Sequence, residues 1–400
     1  MMTYTPPPGL LKVPIGTLEI GMYIAAVDRP WLETPFAVQG FHIESELDID
    51  FVAQHCQYVY IDPRIHPRGK YEKRVTPLSV PKNTTSLKSE LRQANVDLES
   101  TSQAIEKVFK QVRANRHVDL RAMQKIVTPL IDSVLRNHEA IAALLRMKEK
   151  DNYFYQHCIS TAVWAVLMGR HAGFDKDDLK VLVLGTFMID IGMIDVPDSI
   201  LQKKGELTDE ERTLIHKHVD TGIGIVKQSG MTDRRVLEII HCHHERFDGS
   251  GYPVGRTISE IPLTARIAGI ADTYDAMMTP RPYQVSRSAF EATQELSDLK
   301  GTLFQPELIE LFIQAIGIFP TGSIVELNTG EVGIVVAQNP TRRLKPQIIV
   351  VLNSEKQRYK TPIAINLDSH VRVHESGNEV WITKDLNAGS YGLDAANYFL

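Results

Sequence analysis

What the chain is short of narrows the field first. Its 400 residues include only three cysteines, Cys56, Cys158 and Cys242; these cannot form a disulfide framework, and they fit a reducing compartment. No basic cluster offsets the net charge of −5 and the pI near 6.3, which excludes general nucleic-acid binding. The longest apolar run, Val181 to Ile189, contains Gly185 and Thr186 and is too short to span a bilayer. Tyr4 and three consecutive prolines stand near the N-terminus instead of a basic and then apolar leader. The sequence therefore predicts a cytoplasmic protein that meets any membrane-borne signal through partners. Internal repeats and low-complexity tracts are also missing. What is present, 43% apolar and 23% charged residues, is the composition of an ordinary globular protein with length for two or three domains.

Four stretches differ in character. Residues 1–70 are rich in Pro, Gly and β-branched residues, and Leu18 to Ile24 and Val59 to Asp62 read as short strands of a small α/β or β module. Residues 71–118 join a proline- and charge-rich linker to a polar amphipathic helix over Leu87–Arg113. Residues 119–320 are almost wholly helical. The first helix there spans Asp119 to Lys148, with Pro129 expected to kink or divide it. Thr208, followed three residues later by Glu211, signals a helix start. Residues 321–400 carry β-branched runs at Ser323–Leu327, Gly330–Ala337 and Gln347–Leu352, with a hairpin signal at Asn328-Thr329-Gly330. The expected class is multidomain α+β: a central all-α bundle with a small N-terminal module and a C-terminal β subdomain. The helices at 87–113 and 119–148 have two uses open to them, packing on the domain that follows or pairing with a second copy in a homodimer.

The chemistry concentrates between His216 and Asp275. Five of the 14 histidines fall between His216 and His244, followed by a Gly-rich loop and Asp272. Imidazoles and carboxylates gathered in this way suit a borderline divalent cation. Neighbouring side chains on a helix point about 100° apart, so His243 and His244 can reach one centre only where a helix ends. Phe247-Asp248-Gly249-Ser250-Gly251 signals such an end. The candidate ligands are His157, Asp190, His218, His243, His244 and Asp272, on successive predicted helices, as in a bundle that builds a metal centre from inward-facing side chains. Cys242 reads as a small apolar packing group.

The order His157, Ile189-Asp190, His218, His243-His244, Asp272, with HHERFDGSGYP at 243–253, resembles the HD-GYP family of metal-dependent cyclic di-GMP phosphodiesterases over about residues 151–318. VPDSILQKKGELTDEE, IPLTARI and RPY at 281–283 fall in the family's order, and the flanking pieces resemble a bacterial subgroup with a small N-terminal domain of unknown function. The resemblance implies an all-α HD fold binding iron or manganese. Its bound ions activate water to attack the phosphodiester of cyclic di-GMP, with Asp190 at the catalytic position. It also implies a loop at Gly251, Tyr252 and Pro253 that faces a partner, a diguanylate cyclase domain being the partner type. We expect the Tyr252 ring to stand exposed on that loop.

This sequence departs from the family at several positions. Ile189 stands where the family has a ligating His, Met193 where it has a Lys near the substrate phosphate, and Gln284 where a second basic residue follows Arg-Pro-Tyr. Tyr153 replaces the Glu of members with a third ion. By resemblance, one ion would take Asp190, His218, His243 and His244, a complete set. The other would take His157, Asp272 and the shared Asp190, a set that has lost its fourth ligand. The expectation is one ion per chain and impaired hydrolysis, with Arg266 and Arg281 as the cations that could replace the lysine at the phosphate. The protein would then act as a sensor or scaffold in cyclic di-GMP signalling. The alternatives are an active phosphodiesterase and a pure interaction module.

Overall fold

The computed structural model describes residues 10–28, 41–43, 46–61, 83–147, 153–279, 287–339, 344–368 and 380–399. At the N-terminus, β1 (Leu11–Pro14), β2 (Tyr23–Val27), β3 (Phe41–His42) and β4 (Tyr58–Ile61) form one antiparallel sheet in the order β1-β4-β2-β3, with α1 (Glu46–His55) preceding β4. The module therefore adds a helix to an antiparallel sheet and is not purely β. The strand expected over Leu18 to Ile24 begins only at Tyr23, because Gly21, at φ 100°, places a turn within that stretch.

A long helix, α2 (Leu87–Asn115), starts at Ser86, whose side chain accepts from the Ser89 N–H. Its apolar stripe of Leu91, Ala94, Leu98, Ile105, Val108, Phe109 and Val112 is buried. That stripe packs on α3 (Leu120–Arg136), α4 (His138–Met147) and α5 (Tyr153–His171). Of the two uses open to the helix, packing on the following domain is the one observed. Pro129 neither divides nor ends α3. The i−4 carbonyl it leaves without a partner belongs to Lys125, an exposed residue where water can serve. The break falls instead at Asn137, which is extended (φ −157°) and accepts the Glu139 N–H on its side-chain oxygen.

The bundle continues through α6 (Lys176–Thr186), a short α7 (Asp198–Leu201), α8 (Asp209–His216), α9 (His218–Gln228), α10 (Arg234–Cys242), α11 (Leu263–Met278), α12 (Ala289–Asp298) and α13 (Pro306–Ile316). The reciprocal Thr208–Glu211 cap opens α8 as expected. A five-stranded antiparallel sheet closes the chain in the order β8-β7-β6-β5-β9. Its strands are β5 (Ile324–Leu327), β6 (Val332–Ala337), β7 (Gln347–Leu352), β8 (Arg358–Asn366) and β9 (Ile382–Leu386), and the expected hairpin at Asn328–Gly330 joins β5 to β6. No helix among the described residues is long and apolar enough to cross a membrane.

Candidate metal centre

Five segments meet at the centre: α5 brings His157, the turn after α6 brings Asp190, the start of α9 brings His218, the end of α10 brings His243 and His244, and α11 brings Asp272. His243 is the C-cap of α10 and His244 lies just beyond it, so the helix end lets adjacent imidazoles converge. Backbone proximity brings Asp190 to His218. A Cβ added to Gly192 would lie 2.0 Å from the His218 carbonyl oxygen, so only glycine lets the turn after Asp190 approach α9 this closely.

Two groups of donor atoms result, each within 4.8 Å: Asp190, His218, His243 and His244, and His157, Asp190 and Asp272. Asp190 belongs to both, with Oδ1 at 3.5 Å from His218 Nε2 and Oδ2 at 3.5 Å from His157 Nε2. His218 Nδ1 lies 2.7 Å from the Ile215 carbonyl and His243 Nδ1 lies 2.8 Å from that of Ile240. Carbonyls only accept, so both Nδ1 atoms carry the proton and both Nε2 atoms present lone pairs. Those two Nε2 atoms face each other at 3.3 Å. Two lone pairs aimed together at that distance repel unless a cation lies near them, and the donor set of the four-residue group fits a divalent ion. Burial pushes His243 down to about 4 and His244 well below its ordinary value, so both are neutral donors.

The second group is differently engaged. His157 Nε2 lies 2.9 Å from Asp272, and its Nδ1 lies 2.7 Å from Asp275. Burial opposes a charged imidazole here, but hydrogen bonds to Asp272 and Asp275 outweigh it and bring His157 up to about 10. Burial likewise raises Asp272, yet the His157 hydrogen bond holds it below the usual carboxylate range. Ile189, where a fourth ligand is expected by resemblance, is fully buried.

Three residues of this site went unnoticed in the sequence. Asp275 accepts from His157, from Trp164 Nε1 (3.2 Å) and from the Thr279 hydroxyl (3.2 Å), fixing the His157 ring. Glu245, buried, accepts the N–H groups of Val254, Gly255 and Arg256 at 2.9, 3.0 and 2.9 Å and ties the loop back to the centre. Arg246 donates to the His243 carbonyl and lies 3.4 Å from His244 Nδ1. Glu245 and Arg246 directly follow the His pair, the one local signal that could have marked them.

The expectation of an outward Tyr252 is corrected. Its ring stacks between His216 (centroids 3.7 Å, 12°) and His244 (4.5 Å, 23°), because the flat imidazoles offer more apolar contact than solvent does. A Cβ on Gly251 would lie 2.4 Å from the His244 carbonyl oxygen, and this tight approach turns the ring inward. Pro253 follows half-buried, and Val254, 64% exposed, is the loop's outward apolar residue. Cys242 packs with Ile261 and Ala265, and burial pushes its thiol up to about 11, in keeping with a packing role. The Arg266 guanidinium donates to the Ile261 carbonyl (2.9 Å) and to Gln305 (2.6 Å). Arg281, Gln284 and the Tyr153 side chain lie outside the described residues.

A helical bundle that converges on a carboxylate-bridged imidazole centre is the mark of an HD-domain protein. Residues 135–308 match the HD domain, 10–123 match a domain of unknown function (DUF3391), and 324–373 match a KOW domain associated with HD domains. With HHERFDGSGYP in place at 243–253, the chain belongs to the HD-GYP family, with an N-terminal DUF3391 domain. It is 29% identical to a cyclic di-GMP phosphodiesterase of Pseudomonas aeruginosa over 88% of this chain and 87% of that protein. A cyclic di-GMP phosphodiesterase of Thermotoga maritima is 42% identical over 31% of this chain and 34% of its own length. A cyclic di-GMP phosphodiesterase response regulator of Xanthomonas campestris is 33% identical over 38% of this chain. The chain thus spans most of the first relative but only about a third of the second.

Proposed function

We propose that this chain works in cyclic di-GMP signalling as a metal-binding HD-GYP protein with impaired phosphodiester hydrolysis, acting as a sensor or scaffold. The observation that carries the reading is Ile189, an apolar side chain fully buried beside Asp190. In this reading Asp190, His218, His243 and His244 hold one ion, iron or manganese by family resemblance. A cation held there would acidify water and neutralise charge developing on a phosphoryl group. His157 is occupied on both nitrogens by Asp272 and Asp275, so its group is held by hydrogen bonds among its own members, and Ile189, a buried alkyl side chain, offers no donor atom to complete it. With Met193 in place of a lysine, charge stabilisation worth about 3 kcal/mol per preorganised group is absent. A diguanylate cyclase domain remains the partner type proposed for the loop, with Val254 as its outward contact.

A second reading, an active phosphodiesterase, is favoured by one observation: His157, Asp190 and Asp272 still offer donor atoms within 4.8 Å of each other. Elemental analysis with a cyclic di-GMP binding and hydrolysis assay separates the two. The first reading expects about one ion per chain, binding, and slow turnover. The pair Ile189→His with Met193→Lys should then recover more activity than either change alone, because ligation and charge stabilisation act on the same transition state. Two stoichiometric ions with robust turnover by the unmodified protein would establish the second reading.

A further inference from the structure

A second concentration of buried polar groups lies where the ends of α4, α5 and α13 meet the C-terminal sheet. It lines a cavity of about 90 Å³ that includes Glu139, Arg170, Gln314, Thr321 and Gln338. Along α5, Arg170 stands about 20 Å from His157, so this cavity is separate from the metal centre. Gln314 is 6% exposed and Thr321 1%. Among the described residues, neither amide atom of Gln314, nor the Thr321 hydroxyl, nor Gln338 Oε1 has a hydrogen-bond partner. Leaving one such group buried and unsatisfied costs about 1–3 kcal/mol. Several of them around a single space mark a place where something else supplies the bonds.

The rest of the lining tells which chemistry would fit. Glu139 and Arg170 give the walls one ionisable group of each sign: burial raises Glu139 and lowers Arg170, offset in part for Glu139 by the Gln338 backbone N–H and the Arg170 charge, and for Arg170 by the Glu139 charge. His138 adds no charge: its Nδ1 lies 2.7 Å from Asn83 Oδ1, and burial with the nearby Arg170 and His171 pushes it down to about 3. A simple anion would meet Glu139, and a simple cation would meet Arg170. A molecule carrying both signs within a few atoms satisfies both walls, while the Gln314 amide and Thr321 hydroxyl supply donors and acceptors between them. Since a cavity of about 150 Å³ holds benzene, one of about 90 Å³ suits roughly five heavy atoms. We propose that this cavity binds a small α-amino acid of glycine or alanine size, with its carboxylate toward Arg170 and Thr321 and its ammonium toward Glu139 and Gln314 Oε1.

Thermal unfolding of the full chain with glycine, alanine, phenylalanine, acetate and methylammonium tests this. Glycine or alanine should raise Tm by roughly 3–5 °C at about a hundredfold excess over Kd, with no shift from phenylalanine, acetate or methylammonium. Gln314→Leu, similar in shape, should raise the Tm of the protein alone and lose the shift. Thr321→Val should weaken calorimetric affinity about tenfold or more. Wild type unmoved by any amino acid, or shifts equal in wild type and both variants, overturns the proposal. So does acetate alone reproducing the effect, which would make the cavity an anion site. A Gln314→Leu protein less stable than wild type, with no shift in either, means that ordered water satisfies the amide, and the proposal fails.

Discussion

At the scale of single residues, the centre depends on which imidazole nitrogen faces inward. Carbonyls of Ile215 and Ile240 hold the protons of His218 and His243 outward, so these rings are ready donors without rearrangement. His244→Ala should therefore lower metal affinity by about 100-fold or more, whereas Cys242→Ala should leave the metal content unchanged. Elemental analysis after dialysis reads both, and equal loss in the two variants would make the thiol a ligand. The adjacency of His243 and His244 was legible because adjacent imidazoles can share a centre only at a helix end. Asp275 was not legible: a carboxylate three residues beyond Asp272 on α11 becomes the anchor of His157 only once α5 is packed against α11. Tyr252 failed for a related reason. Gly-Tyr-Pro announces a turn, but the direction of the ring depends on His216 and His244 from two other segments. Since the ring is half-buried between them, Tyr252→Ala should cost about 2 kcal/mol of stability. Urea unfolding that leaves the midpoint unmoved would mean the stacking contributes nothing.

Among the elements, α2 and α3 show why a helix boundary can escape a sequence reading. Pro129 is the louder signal, yet the chain breaks at Asn137, where a side-chain oxygen replaces the lost helical acceptor for Glu139 and the amide NH2 reaches the Thr85 carbonyl. The same corner holds Glu90, 2% exposed, which accepts from Ser133 (2.8 Å) and twice from Arg136 (2.8 Å each). Burial alone would raise its carboxyl, but the hydrogen bonds from Arg136, Ser133 and Thr85 outweigh it and hold Glu90 below its ordinary value of 4.5. A depressed carboxylate contributes stability above the unfolded value and loses it as pH falls through the folded one. The α2–α3 packing should therefore weaken as pH drops from about 4.5 downward. Glu90→Gln should flatten that part of the acid-unfolding curve and lower stability at neutral pH, where a buried charged acceptor has been removed. An unchanged acid limb in the variant would mean other carboxylates set it.

The whole molecule is joined through a buried charge. Asp385, on β9 of the C-terminal sheet, accepts the Ala289 and Phe290 N–H groups at the start of α12 (2.9 and 3.3 Å) and lies 3.7 Å from Arg146 on α4. One carboxylate thus links the bundle's fourth and twelfth helices to the last strand, and Phe290 stacks on Phe319 at 5.5 Å alongside it. The β-rich tail was legible from its alternating residues, whereas this junction was not, because its partners lie about a hundred and about 240 positions apart. Among the described residues Arg146 Nε and Nη1 have no hydrogen-bond partner, and the Asp385 carboxylate lies beside its charge. Asp385→Ala removes a helix cap, worth about 1 kcal/mol, and leaves a buried guanidinium uncompensated, for a total cost of about 3–5 kcal/mol. Removing both charges, in Arg146→Met with Asp385→Ala, should cost less than Asp385→Ala alone, since the stranded cation is gone. Because the sheet and the bundle also share one hydrophobic core, they should still melt together in the single variant, at a lower temperature. Far-ultraviolet circular dichroism followed at helix and strand wavelengths reads this. A change within about 0.5 kcal/mol of wild type, or a double variant no more stable than the single one, would show that the pair does not join the two domains energetically.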